Sequence, residues 1–393
     1  MGSEMIFSPY NEFWREIRKT CVAHVLSSNR VSSFSSIRTF EVKQLIKKIS
    51  SNASSRKVMN LNEMMMSLTS TIICRVAFGR SYEDEGGVEK SKFHDLLNEC
   101  QAMMGSFFVS DYIPFLWCID RLNGMHKRLD RIFKELDEFC QQVLDEHMDP
   151  NRNTTTSPRE DIVDVLLQSK KQQAFPFDLT YDCIKAVIMD MIVGATGTST
   201  ATIVWGMIEL MKNPRVKKKV QEEIRNFRGQ KDFLDEEDIQ KCSYFKAMIK
   251  ETLRLYLPAP LLVPKETNEK CIIDGYEIPA KTIVYINAWA IHRDSEVWKN
   301  PLEFYPERFL EDSSIDVKGQ NFELIPFGAG RRICPGMHMA LIALDLILAN
   351  LLYSFDWELP EGVNNEDVDV EALPGLISHK KNHLYLIAKT RKE

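Results

Sequence analysis

The chain has 393 residues, 44% hydrophobic and 27% charged, enough for one large globular domain or two average ones. A net charge of −6 gives nucleic acid no electrostatic reason to bind and excludes it as an expected partner. Nine cysteines stand apart with no C-x-x-C pair, which argues against a disulfide framework or a zinc site and fits a reducing compartment.

The N-terminus lacks the basic-then-apolar pattern of a signal peptide. From Glu12 to about Val193 apolar residues recur at three- and four-residue spacing, which predicts a mostly helical body. Breaks are expected at Gly86-Gly87, at Pro114 and across residues 151–158, a polar stretch with three threonines. A long helix should start at Thr180 as N-cap and run to about Lys212, before Pro214. Another should cover Tyr244 to Leu257 and stop at Pro258. Residues 271–291 hold short apolar runs around Asp274-Gly275 and Pro279-Ala280, the pattern of strands and turns. A last helix follows Gly336, and residues 383–388 read as strand.

No uncharged apolar run reaches about 18 residues, so no bilayer-spanning segment is expected. The most apolar stretches, residues 186–195 and 283–291, are short, and Asp190 interrupts the first. Without repeats or a linker, the expectation is a single domain over residues 1–393, mainly α with a small β-rich portion.

One segment carries chemistry: Phe327-Gly328-Ala329-Gly330-Arg331-Arg332-Ile333-Cys334-Pro335-Gly336. A thiolate needs positive charge and backbone N–H donors to stay deprotonated and ligate metal. Arg331, Arg332 and the N-terminus of the following helix supply both. The glycines let backbone approach a flat cofactor where a Cβ would collide.

This segment resembles the haem-binding signature of the cytochrome P-450 family, F-x-x-G-x-R-x-C-x-G, at Phe327, Gly330, Arg332, Cys334 and Gly336. The resemblance implies a cytochrome P-450 fold, haem b, Cys334 as axial ligand, Phe327 packed on the ligand loop and Arg332 on a haem propionate. Glu251, in Glu251-Thr-Leu-Arg254, and Arg308, in Pro306-Glu307-Arg308-Phe309, match the family's Glu-Arg-Arg triad, a structural network of Glu251, Arg254 and Arg308. Trp14 and Arg18 match a W-x-x-x-R pair whose side chains reach a propionate. Lys265 stands where an arginine is usual and should face a propionate too.

The helix over the oxygen-binding face normally reads [AG]-G-x-[DE]-T-[ST]. Here it reads Gly194-Ala195-Thr196-Gly197-Thr198-Ser199, with Thr198 at the catalytic threonine and Gly197 at the acid's position. Asp190, the nearest acid upstream, lies about two turns or ~10 Å away along the helix. Family members also carry roughly a hundred more residues ahead of Trp14, including a membrane anchor, first helices and sheet strands; the expectation is therefore an N-terminally shortened chain. Substrate contacts expected from family position are Phe107, Phe108, Ala195, Ala259, Leu261, Leu262 and Ile377.

The wording around the motifs resembles plant microsomal members that modify specialised metabolites. It implies a monooxygenase at the cytosolic face of the endoplasmic reticulum membrane, using O2, a small lipophilic substrate and electrons from NADPH through cytochrome P-450 reductase. Arg15, Lys19 and Arg331 are candidates for the basic face that such a partner would meet. Two other readings stand beside it: an O2-independent isomerase or dehydratase, suggested by the missing acid, and a non-catalytic remnant. His292 and His338 have no partner at ligand spacing and are expected to be structural, and Met64, Met65 and Met66 to fill core.

Overall fold

The computed structural model describes residues 4–80, 87–152, 160–226 and 231–390. The expected break at Gly86, and residues 153–158 of the expected polar loop, lie outside the described residues. The chain divides into two compact units, each assembled from separate segments. The first contains residues 1–27, 70–197 and 374–377; the second contains residues 28–69, 198–373 and 378–393.

The fold is mainly helical, as expected. The first unit packs the helix Gly87–Met104 and the short Trp117–Leu122 helix against Met125–Met148, which also meets Ile162–Lys171. Pro114 opens a 3-10 turn where the break was expected. The second unit is built on the apolar helix Met337–Ser354, packed against Ser35–Ala53, Pro214–Arg225 and Glu236–Gln240.

Local chemistry sets the helix ends. Thr180 Oγ1 accepts the Cys183 N–H at 3.2 Å, capping the helix Tyr181–Lys212. The helix Ser243–Leu255 ends just before Pro258. Hairpin Cys271–Ile273 and Tyr276–Ile278 turns at Asp274 and Gly275, both at positive φ, and Lys265–Glu266 pairs with Ile283–Val284. The C-terminal strand Tyr385–Thr390 pairs with Phe355–Glu358 on one side and with Met59–Asn60 on the other. The last two-residue strand was not expected, because it interrupts an otherwise helical pattern.

By length and composition alone, two described helices could cross a membrane: Tyr181–Lys212 and Met337–Ser354. The expectation of no spanning segment required an uncharged run, and Asp190 and Asp345 interrupt these two. The structure buries 72% and 61% of their apolar windows inside the fold, the condition of core helices apolar on all sides.

Candidate active site

Cys334 sits in a loop whose backbone needs glycine. Gly328 and Gly330 have φ of +71° and +69°, in the left-handed region that side chains with a Cβ rarely enter. Residues Gly330–Arg332 then form one 3-10 turn, and the Cys334 N–H donates to the Phe327 carbonyl at 2.9 Å, closing the loop on itself. Cys334 is half-buried at its end, just ahead of the Met337–Ser354 helix.

The structure brings together Glu251, Arg254 and Arg308. Arg254, fully buried, donates to Glu251 through Nε at 2.8 Å and Nη2 at 2.9 Å, a bidentate pair. Arg308 Nε reaches both Glu251 oxygens at 3.1 Å, and the Tyr305 N–H adds a donor at 2.9 Å. Both guanidinium groups lie over the Trp298 ring, at 5.2 Å for Arg254 and 5.9 Å for Arg308.

A residue that the sequence left as structural joins this network to the cysteine loop. His292 is fully buried; Arg254 Nη1 donates to its carbonyl at 2.7 Å. The ring Nε2 accepts the Ile325 N–H at 2.9 Å, two residues before Phe327, and Nδ1 faces the Arg254 carbonyl at 3.2 Å. Those partners make Nδ1 the protonated nitrogen of a neutral imidazole. Burial first, with the Arg254 and Arg293 charges behind it, pushes the His292 pKa down to about 4. His292 is structural, as expected, and it also links the Arg254 network to the cysteine loop.

Lys265 and Arg332, also in this unit, repel each other. Burial, and after it the Arg332 charge, holds the Lys265 ammonium below its usual pKa. Ala259, Leu261 and Leu262 follow Pro258 here; Leu262 is buried in a cluster with Leu257, Ala288 and Ile325, whereas Leu261 is 46% exposed.

In the first unit, Trp14 is buried and its indole N–H donates to the Met5 carbonyl at 2.9 Å; Arg18 lies 5.4 Å over the same ring. The expected propionate contact of Trp14 would require exchanging the Met5 bond. Asp190 is buried as well and accepts the backbone N–H groups of Met5 and Ile6, while Ile6 lies against Gly194. Burial raises its pKa to about 7. Phe107 stacks on Tyr112 at 4.9 Å and is largely exposed, and Ile377 is buried.

The helix Tyr181–Lys212 runs unbroken through the glycine-threonine stretch, with the boundary between units falling after Gly197. Over residues 191–200 only Gly194, Ala195 and Thr198 escape full burial, and their spacing puts them on one face. Gly197 itself is buried against the Gln101 side chain.

A cysteine held on a glycine loop with a buried Glu-Arg-Arg network behind it is the arrangement expected of a haem-thiolate protein, and the family model for cytochrome P-450 matches residues 1–387. The chain belongs to the cytochrome P-450 family and is a plant-type monooxygenase. It is 48% identical over 394 residues to 5-OH-xanthotoxin synthase of Pastinaca sativa, covering 99% of this chain and 77% of the relative. It is 45% identical over 388 residues to strychnine-11-hydroxylase of Strychnos nux-vomica, covering 98% and 75%. A zebra fish cytochrome P-450 structure with progesterone shares the fold, with a TM-score of 0.82 at 22% identity, covering 99% of this chain and 85% of that one.

The family carries haem and takes electrons from a redox partner. The residues present fit that group: a half-buried thiol stands on a glycine loop beside Arg331 and Arg332, and an added Cβ at Gly330 would meet nothing within 4 Å.

Proposed function

We propose that this protein hydroxylates a small lipophilic specialised metabolite, with haem b held through Cys334. Electrons come from NADPH by way of cytochrome P-450 reductase. The supporting observation is the Cys334 loop, fixed by its own Cys334–Phe327 hydrogen bond and tied through His292 to a fully buried Glu251–Arg254 pair. Cys334 is the ligand in this reading, and Phe327 packs beside it. Arg332 and Lys265 meet the propionates, with Arg18 and Trp14 as further candidates. Thr198 holds a water by its hydroxyl.

Thiolate-ligated haem, when bound, would supply oxygen activation: with two electrons and two protons, one atom of O2 would enter the substrate and the other leave as water. Ala195, Ala259, Leu261, Leu262 and Ile377 are the proposed substrate contacts. The relatives' names point to hydroxylated coumarins and an alkaloid, so a fused-ring aromatic metabolite is the first class to assay. Those names favour oxygen insertion over the O2-independent and remnant readings. The proposed location, by relationship, is the cytosolic face of the endoplasmic reticulum membrane.

The test is Cys334→Ser. A serine hydroxyl is a poor anionic donor to iron, so the reduced carbon-monoxide band of a thiolate-ligated haem should vanish while the helical fold stays. Persistence of that band would remove Cys334 from the role.

A further inference from the structure

Gly197 has a specific reason to be glycine. An added Cβ would stand 2.5 Å from Gln101 Oε1 and 2.7 Å from Gln101 Cδ, with Nε2 closer still. Gln101 comes from the helix Gly87–Met104 and is 6% exposed. Its amide therefore occupies the space that a side chain at position 197 would fill. Ordinary bond lengths put a carboxylate oxygen of aspartate about 2.4 Å from its own Cβ. The polar atoms of the Gln101 amide thus stand about as far from that Cβ as an aspartate's oxygens would, and they take up the room its carboxyl would need.

We propose that Gln101 is a positioning residue of the oxygen chemistry, supplying through space the polar group that residue 197 lacks. This rests on the monooxygenase reading above. An amide has the planar shape of a carboxyl, an acceptor and two donors, but no ionisable proton. Set against Gly197, it can hold a water by hydrogen bonds, yet it delivers no net proton. Asp190 does not replace it, since its carboxylate already accepts the backbone of Met5 and Ile6. The structure therefore keeps an acid's shape and removes its acidity.

Dioxygen itself serves as the probe, with NADPH and reductase and no organic substrate. Two electrons and two protons reduce O2 to hydrogen peroxide; four electrons and four protons reduce it to two waters. Where proton delivery is poor, peroxide leaves first. Wild type should consume about one NADPH per O2, release most of it as peroxide, and show little pH dependence between pH 6 and 8. Gln101→Glu puts a buried carboxyl, with its pKa raised by burial, in the same place. The ratio should climb toward two, peroxide per O2 should fall severalfold, and the gain should fade as pH rises and the acid ionises. Gly197→Asp combined with Gln101→Ala should reproduce this, because the carboxyl then fills the vacated space, and it covers the case where Gln101→Glu fails to fold.

Unchanged ratios in both haem-loaded variants, or a wild-type ratio already near two, would overturn the role of Gln101. Loss of the thiolate carbon-monoxide band in wild type would instead refute the monooxygenase reading beneath it.

Discussion

Removing Arg308 and removing Arg254 should have unequal effects, although both contact Glu251. Arg308→Ala deletes the Nε contacts to the two Glu251 oxygens, a bond from Nη1 to the Lys299 carbonyl at 2.8 Å and longer Nη2 bonds to the Asn300 and Glu303 carbonyls at 3.3 and 3.4 Å. Lys299, Asn300 and Glu303 are exposed, so their carbonyls turn to water at little cost. Glu251 keeps the Arg254 fork and the Tyr305 N–H, and the loss amounts to one charge-assisted interaction, about 1.5–3 kcal/mol. Arg254→Ala takes away the fork together with bonds to the carbonyls of His292, Pro301 and Glu303. Arg254 and Glu251 are both fully buried, and breaking such a pair from one side costs about 3–5 kcal/mol. Urea unfolding, followed together with haem content, measures both. Arg308→Ala should remain foldable and keep part of its haem with a thiolate spectrum, whereas Arg254→Ala should lose nearly all of it. Equal losses, or an Arg308→Ala change below about 0.5 kcal/mol, would show that the Glu251 carboxylate is not the centre of this network.

His292→Phe should leave the Ile325 N–H buried without its acceptor, at about 1–3 kcal/mol. The neutral ring stabilises the fold fully above its unfolded pKa of 6.5, and that contribution is lost as pH falls toward about 4. The variant's unfolding free energy should therefore fall less steeply across this window, by up to one proton's worth or about 1.4 kcal/mol per pH unit; an unchanged slope would contradict a neutral buried His292. Asp190 has the opposite sign. Its pKa is raised from 3.8 to about 7, so its contribution to stability is present below 3.8 and lost as pH rises through 7. Asp190→Asn should match wild type near pH 4 and exceed it at pH 8; the same difference at both values would refute the assignment.

The sequence disclosed whatever is encoded locally. Thr180 capped its helix, Pro258 followed the end of another, and Asp274-Gly275 turned a hairpin, because each acts on neighbours a few residues away. Resemblance reached further: it paired Glu251 with Arg308 across 57 positions, a contact no local pattern implies. Other contacts gave no sequence signal. Gln101 meets Gly197 from another helix, and a lone glutamine gives no local sign of such a partner. The Met59–Asn60 strand exists only because Tyr385–Thr390 offers it an edge. His292 looked inert for want of a ligand partner, yet its partners are backbone groups, which a search for ligand spacing cannot see. Trp14 carried a family role, while its indole N–H is bonded to Met5.

The Trp298 ring, 4% exposed, lies within 6 Å of two guanidinium groups. That arrangement makes it an optical gauge of the Glu251 network. Indole emission responds to nearby charge and to water, so a local opening that lifts Arg254 or Arg308 from the ring would shift its fluorescence toward the red. The remaining helices need not melt for this to happen. With the other five tryptophans replaced by phenylalanine, loosening of the scaffold behind Cys334 could be followed by light alone, at concentrations too low for calorimetry.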